Sequence, residues 1–245
     1  MNAEGQGAIV CGFGDVAAGL GGLAWDIGEP GAVLFSQGEA QPASFAIEEG
    51  GDAATIEIAA GEVTLGATLA PHTAEVPLVD RDGQGTHGLR FSACAAEVHS
   101  SGGNQTFACS GYIARWSSDP VKGAGTYRHL AIERGGDSFL IATAIGQPGS
   151  EGHGDERTSG WLLEGENATP FADALISTQY DESGKQTRLG LELWPEDADQ
   201  STRAAATRVS GSSLGVVTSG ATNAGLFRCH ADGTEGFGSY LLWRA

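Results

Sequence analysis

Basic residues are scarce in this sequence. Of 245 residues only 13 are Lys or Arg, against 31 Asp or Glu, and the formal net charge is −18. A surface of this sign repels phosphate groups, which excludes nucleic acid as a partner and disfavours anionic membrane surfaces. We interpret the acidity as a means of staying soluble.

Long hydrophobic runs are also missing. No apolar stretch approaches the roughly 20 residues that cross a bilayer. The N-terminal segment "MNAEGQGAIV" lacks the basic residues and the apolar core of a signal peptide. We therefore expect no membrane insertion and a cytoplasmic location.

Cysteine is rare, since four residues in a chain of this length do not make a disulfide framework. If residues 90–116 form a hairpin that turns near 101–103, Cys94 and Cys109 lie nearly opposite each other. In a reducing cell such a pair is typical of two small apolar side chains, with a redox bond as the alternative. The six His share no close ligand spacing, so we predict no metal site.

Glycine, in contrast, is abundant, with 39 residues spread along the chain. Helices disfavour Gly by about 1 kcal/mol per residue relative to Ala, whereas turns accept it. Apolar residues alternate with polar or small ones over 63–69 and 188–193, which is typical of strands with one buried face. We predict an all-β fold in which 169–180 is also strand, and only "QSTRAAATRV", residues 200–209, is a candidate helix.

The chain contains an internal duplication. "VLFSQGE" near residue 38 matches "WLLEGE" near residue 165, and "SGYIARW" matches "GSYLLW" at the ends of two strands. This repeat predicts two similar antiparallel barrels or sandwiches, residues 1–122 and 123–245. Three anchors keep one spacing of 127 positions: Gly38–Glu39 with Gly165–Glu166, Gly111 with Gly238, and Trp116 with Trp243.

Two short motifs resemble enzyme signatures but lack the required context. Residues 12–17 spell G-x-G-x-x-A, the dinucleotide-binding turn, which works only where a strand leads into a helix. Four Gly in the next dozen residues argue against that helix, so we expect no nucleotide cofactor, and no other cofactor is indicated. Instead, Gly12 and Gly14 should bend a strand or allow a backbone to pass closely. Residues 211–215 spell G-x-S-x-G, but no helix is predicted after them either.

One loop, residues 146–160, gathers groups suited to catalysis. His153 is flanked by Asp155 and Glu156, and a His near carboxylates can act as a general acid or base close to neutral pH. We predict these three residues as catalytic, with Arg157 as a ligand contact. The alternative is a solvated surface loop.

A second polar loop, residues 79–88, contains Asp80, Asp82 and His87. Its alternating Asp residues resemble a calcium loop, but two carboxylates without a terminal Glu favour a surface turn. The five Trp are expected mainly in the core, and some could line an apolar cavity. Our ligand-binding candidates are therefore Trp25, Trp161, Trp194, Arg157 and His87.

The duplicated, Gly-rich β pattern, carried by "VLFSQGE"/"WLLEGE" and "SGYIARW"/"FGSYLLW", resembles the tandem lipocalin-like proteins. That superfamily includes the carotenoid 1,2-hydratases and several Diels–Alder cyclases. The resemblance implies two small barrels packed together, a lipophilic molecule held in a barrel or between the halves, and catalytic polar residues at that pocket. The loop around His153 is our candidate for those residues.

The expected function is that of a cofactor-independent enzyme acting on a hydrophobic, isoprenoid or polyketide-like molecule by cyclase, hydratase or isomerase chemistry. The alternatives are a non-catalytic binder of lipophilic ligands and a carbohydrate-binding β module. An enzyme should place an ionisable group beside its cavity, a binder should have an apolar cavity, and a carbohydrate module should expose Trp in a flat row. The expected partner is the hydrophobic small molecule, and the protein is expected to be a monomer or a homodimer.

Overall fold

The protein is represented by a computed structural model. It describes residues 8–15, 19–27, 29–36, 38–51, 53–79, 88–100, 103–116, 119–135, 138–150, 153–197, 200–217 and 220–245. Within these ranges, the side chains at 8, 88–90, 92–96, 98, 100, 153, 212 and 215–217 lie outside the description.

The first sheet is a meander that closes on itself. β1 pairs with β2 and β9, each strand from β1 to β6 pairs with the next, and β8 joins β9 to β6. The pairing of β6 with β8 therefore completes a barrel. The strands are β1 Ala8–Asp15, β2 Leu20–Asp26, β3 Gly31–Ser36, β4 Glu39–Gly50, β5 Ala53–Ala60, β6 Val63–Leu69, β7 Val76–Pro77, β8 Gly88–Ser100 and β9 Gly103–Trp116.

The second sheet repeats this plan. β10 pairs with β11 and β18, as β1 pairs with β2 and β9, and the order is β13-β12-β11-β10-β18-β17-β16-β15-β14. The end strand β14 packs beside β11 and β12, so this barrel is nearly closed. The strands are β10 Thr126–Glu133, β11 Ser138–Gly146, β12 Arg157–Glu164, β13 Asn167–Phe171, β14 Asp173–Tyr180, β15 Gln186–Trp194, β16 Thr202–Val217, β17 Gly220–Ala231 and β18 Thr234–Arg244.

Alternation along the strands creates three hydrophobic cores. One face of the first sheet fills the first barrel with side chains such as Ile56, Ile58 and Leu65. The second barrel is filled in the same way by residues such as Ile176 and Leu191. The outer faces of both sheets meet in a third core that both halves supply. Side chains therefore fill both barrel interiors.

The repeated Gly-Glu motif holds the barrels together reciprocally. Gly38 and Gly165 occupy the turns after β3 and β12 with φ of 82° and 58°, a region that favours glycine. The carbonyl of Glu39 accepts a hydrogen bond from Ser210 Oγ of the other barrel at 2.6 Å. The carbonyl of Gly165 accepts one from the backbone N–H of Ala74 at 3.2 Å. Each half therefore extends one hairpin turn onto the other.

The prediction of a helix at 200–209 is wrong, because Thr202 begins strand β16. Its Ala-rich sequence favours a helix, but Ala204 and Ala206 are buried while Arg203 and Ala205 are exposed, the period of a strand. Pairing with β15 and β17 outweighs local propensity here. The prediction of strand over 169–180 is confirmed by β13 and β14.

Cys94 and Cys109 are directly opposite each other in the β8–β9 register, which confirms the predicted hairpin. Cys109 is disulfide-bonded, so for this residue the alternative of a disulfide is correct and not that of a free thiol. The side chain of Cys94 lies outside the described residues. Cys11 and Cys229 are free and buried. Within the described ranges, no helix has the length and apolar character needed to span a bilayer.

Candidate functional site

A small cleft, with free space of about 30 Å³ and partly open to solvent, lies where β1 and β9 of the first barrel face β10 and β18 of the second. Apolar side chains form most of its wall, and four polar side chains interrupt them. The apolar ones are Phe91, Leu226 and Phe237, and the polar ones are Ser110, Tyr112, Glu133 and Ser239.

The cleft lies where equivalent positions of the two halves meet. In the first barrel Gly14 pairs with Ser110, and in the second barrel Glu133 pairs with Phe237 at the corresponding place. Two residues further along these strands, Gly12 pairs with Tyr112 in the first barrel, and Ala131 pairs with Ser239 in the second. The backbone is repeated, but the side chains are not. Consequently one carboxylate and one phenol face the cleft instead of two of each.

Glu133 supplies the ionisable group of the cleft. The hydroxyl of Ser110 donates a hydrogen bond to Glu133 Oε2, and both side chains are half-buried. This bond fixes the orientation of the carboxylate and leaves Oε1 without a partner among the described residues. An oriented carboxylate beside an apolar wall can accept a proton from a bound molecule.

Tyr112 contributes a phenol to the lining of the same cleft. Ser239 Oγ donates a hydrogen bond to the Tyr112 hydroxyl at 3.1 Å. Burial raises the pKa of Tyr112 well above its ordinary value of 10, against a smaller opposing effect of the hydrogen bond from Ser239. The phenol therefore keeps its proton at neutral pH and can donate it to a hydrogen bond.

Glycines of the G-x-G-x-x-A motif shape this site. A Cβ at Gly12 would lie 2.7 Å from Cε1 of Tyr112, and a Cβ at Gly14 would lie 2.8 Å from the carbonyl of Leu20. The expected close approach is confirmed. β1 is followed by the antiparallel strand β2 and not by a helix, so the motif has no dinucleotide-binding context. Residues 211–215, the G-x-S-x-G sequence, likewise lie within strand β16.

The ring of a buried histidine, His129, packs against the ring of Tyr112. His129 is fully buried, its ring centroid is 5.2 Å from that of Tyr112, and its Nδ1 lies 3.3 Å from Thr143 Oγ1. Nε2 has no hydrogen-bond partner in the described part of the chain. Burial lowers the pKa of His129 to about 3, so the imidazole is neutral around pH 7.

The predicted catalytic loop lies elsewhere, against the second barrel. His153 and Asp155 belong to a 3₁₀ turn, and Asp155 is exposed. Glu156 turns inward, is 4% exposed and forms an ion pair with Arg128 at 2.6 Å. Arg157 is exposed. The side chain of His153 is outside the description, and the catalytic roles of this loop stay predictions.

The other predicted residues are also separated from one another. The Trp161 indole donates a hydrogen bond to the carbonyl of Pro77 in the other barrel at 3.0 Å. Trp25 is buried in the shared core and donates to the carbonyl of Glu29. Trp194 is half-buried on β15, and His87 lies outside the described residues. Of those predicted side chains that the structure describes, none lines the cleft.

Sequence reasoning missed Ser110, Tyr112, Glu133 and Ser239. A signal was present, because the duplication anchor Gly111/Gly238 is flanked by three of them. The residues beside Gly111, Ser110 and Tyr112, differ in chemistry from Phe237 and Ser239 beside Gly238. This difference between equivalent positions indicates where the two halves meet. Among the described side chains, no three His, Cys, Asp or Glu are arranged to hold a metal ion.

Comparison with solved structures identifies the fold. A provisionally named AttH from Nitrosomonas europaea superposes with a TM-score of 0.67 at 13% identity, covering 100% of this chain and 94% of that one. CghA, solved with the compound Sch210972, gives 0.59 at 9% identity over 98% and 88% of the two chains. Kievitone hydratase from Nectria haematococca gives 0.58 at 8% identity over 100% and 90%.

The two-barrel fold shared with these structures is the one implied by the resemblance to the tandem lipocalin-like proteins, so the fold expected from the repeated motifs is confirmed. It also confirms the prediction of an all-β fold with two similar halves. No protein-family model matches the chain, and no curated protein matches it in sequence. At these identities the neighbours define the fold and not the activity.

Proposed function

We propose that the protein is a cofactor-independent enzyme that acts on a hydrophobic small molecule by proton transfer in the cleft between its barrels. The observation that carries this proposal is the Glu133 carboxylate in an otherwise largely apolar wall. A binder has no need of such a group, whereas hydratase reactions and many isomerase reactions move protons. The isoprenoid or polyketide-like substrate expected from the sequence suits the same wall.

The aromatic wall of the cleft supports this role, while its free space of about 30 Å³ leaves room only for the reacting end of a bound molecule. Phe91 is stacked on Phe139 with 4.1 Å between ring centroids, which gives the wall a rigid aromatic face. Rigid walls reduce the entropy cost of holding a flexible molecule in one shape.

The structural neighbours support the proposal at the level of class. One of them carries the name of an enzyme, kievitone hydratase, and another was solved with the compound Sch210972. A carbohydrate-binding module gains no support, because all five Trp are described and each is buried or half-buried. The non-catalytic binder remains the second candidate, since Phe91, Leu226 and Phe237 would hold a hydrophobic ligand equally well.

The test is to identify the molecule that co-purifies with the protein from its own host, by native mass spectrometry and chromatography. Wild type is compared with Glu133→Gln and with the control Glu57→Gln, an exposed position on β5. An enzyme should retain product in wild type and control but unconverted substrate in Glu133→Gln. The same molecule in all three would favour the binder, and an empty cleft in all three would reject both.

A further inference from the structure

We propose that the substrate of the cleft is an enolisable carbonyl compound, whose oxygen is held by Tyr112 and whose adjacent carbon gives its proton to Glu133. This inference rests on the proposed function and adds the chemical class of the substrate. It depends on the two polar pairs, Tyr112 with Ser239 and Ser110 with Glu133, which have opposite hydrogen-bonding character.

The first pair donates into the cleft. A hydroxyl has one hydrogen, and in the 3.1 Å bond the hydrogen belongs to Ser239, so Tyr112 acts there as acceptor. The Tyr112 hydrogen has no acceptor among the described residues. Accepting a bond polarises the phenol and makes it a better donor. A carbonyl oxygen, which only accepts, is the group that completes this arrangement.

The second pair accepts from the cleft. Ser110 has given its hydrogen to Glu133 Oε2, and Oε1 remains for a bound molecule. Ser110 and Tyr112 are two residues apart on the same face of β9, so both polar pairs line the same cleft.

The reaction is balanced without another reactant. Glu133 Oε1 takes the proton from the carbon next to the carbonyl, the C–H electron pair forms the new C–C π bond, and the carbonyl π pair moves to oxygen. The resulting enolate oxygen accepts the hydrogen bond from Tyr112. Glu133 then returns its proton to the same carbon or, in an unsaturated substrate, to the γ carbon. The net change is an isomerisation.

The first experiment uses 2-naphthol as a probe, because its anion imitates an enolate and is distinguished by its absorbance. Replacing Glu133 by Gln removes the competing charge, so the variant should bind naphtholate about tenfold tighter than wild type. Adding Tyr112→Phe to that variant should weaken the binding of naphtholate by about tenfold or more, which is the contribution of one charge-assisted hydrogen bond. Naphthalene, which has no oxygen, serves as the control and should bind both variants equally.

The outcomes separate the two proposals. If Tyr112→Phe leaves the affinity for naphtholate unchanged while naphthalene binds, Tyr112 does not hold the carbonyl oxygen, although the cleft still binds hydrophobic molecules. If neither compound binds any variant, the cleft itself is not a ligand site and the proposed function fails as well.

A second experiment measures turnover. Exchange of the protons beside the carbonyl of 2-tetralone in D₂O is followed by NMR with wild type, Glu133→Gln, Tyr112→Phe and the Glu57→Gln control. Both cleft variants should slow the enzyme-dependent exchange by ~10²-fold or more, the low end of general acid–base contributions. Exchange that depends on Glu133 but not on Tyr112 would show that Tyr112 does not hold the carbonyl oxygen. No exchange above that in buffer would reject enolisable carbonyl compounds as the substrate class.

Discussion

The buried imidazole of His129 should make the stability of this protein fall as the pH is lowered from 8 to 5.5. The pKa of His129 is about 3 in the folded protein, against an ordinary value of 6.5. A lowered histidine pKa means that the unfolded chain takes up a proton that the folded chain refuses. Stability is therefore complete above pH 6.5 and is lost as the pH falls towards 3.

The size of the loss follows from these two values. At pH 8 neither state is protonated at this site, and at pH 5.5 only the unfolded state is. The linkage relation then gives a loss of about 1.4 kcal/mol in the free energy of unfolding from this one group. Few carboxylates titrate in this window, because their ordinary pKa values are about 4.

Urea unfolding at pH 8 and pH 5.5 measures the effect in wild type and in His129→Leu, which cannot titrate. His129→Leu changes overall stability through its contact with Thr143, but it should remove about 1.4 kcal/mol of the pH-dependent difference. His230→Gln, at an exposed position of β17, is the control and should keep the wild-type difference. Equal pH dependence in wild type and His129→Leu would refute the reasoning.

Two further predictions concern packing and the buried ion pair. Gly12→Ala should destabilise the protein by roughly 1–3 kcal/mol, because the new Cβ would lie 2.7 Å from the Tyr112 ring. Gly66→Ala, whose Cβ would meet only a carbonyl at 3.8 Å, should have little effect, and equal denaturation midpoints would contradict this account. Glu156→Gln should cost about 3 kcal/mol in thermal or urea unfolding, since it leaves the 12% exposed Arg128 side chain without its counter-charge. A loss below about 1 kcal/mol would show that the pair behaves as an exposed one.

Much of the fold could be predicted because its signals are local. Alternation over 63–69 and 188–193 reveals the buried faces of β6 and β15, and the spacing of 127 positions reveals the duplication. The exception at 200–209 has a physical cause, since three consecutive Ala suit either a helix or a strand. Pairing with distant β17 decides between them.

The candidate site could not be predicted in the same way, because no local stretch contains it. Tyr112 and Ser239 are 127 positions apart, and Ser110 and Glu133 belong to different barrels. These contacts exist only once the outer faces of the two sheets have packed. Local composition drew attention to the loop around His153 instead, where Glu156 turns towards Arg128 on the second barrel.

The pairing of Gly14 with Ser110 and of Glu133 with Phe237 bears on the origin of the candidate site. In an assembly of two identical single modules, every residue at the axis faces a copy of itself, so a carboxylate there would bring a second carboxylate with it. Joining the modules in one gene removed that restriction. Each side of the axis can then mutate alone, so a carboxylate at Glu133 is compatible with glycine at the equivalent position, Gly14.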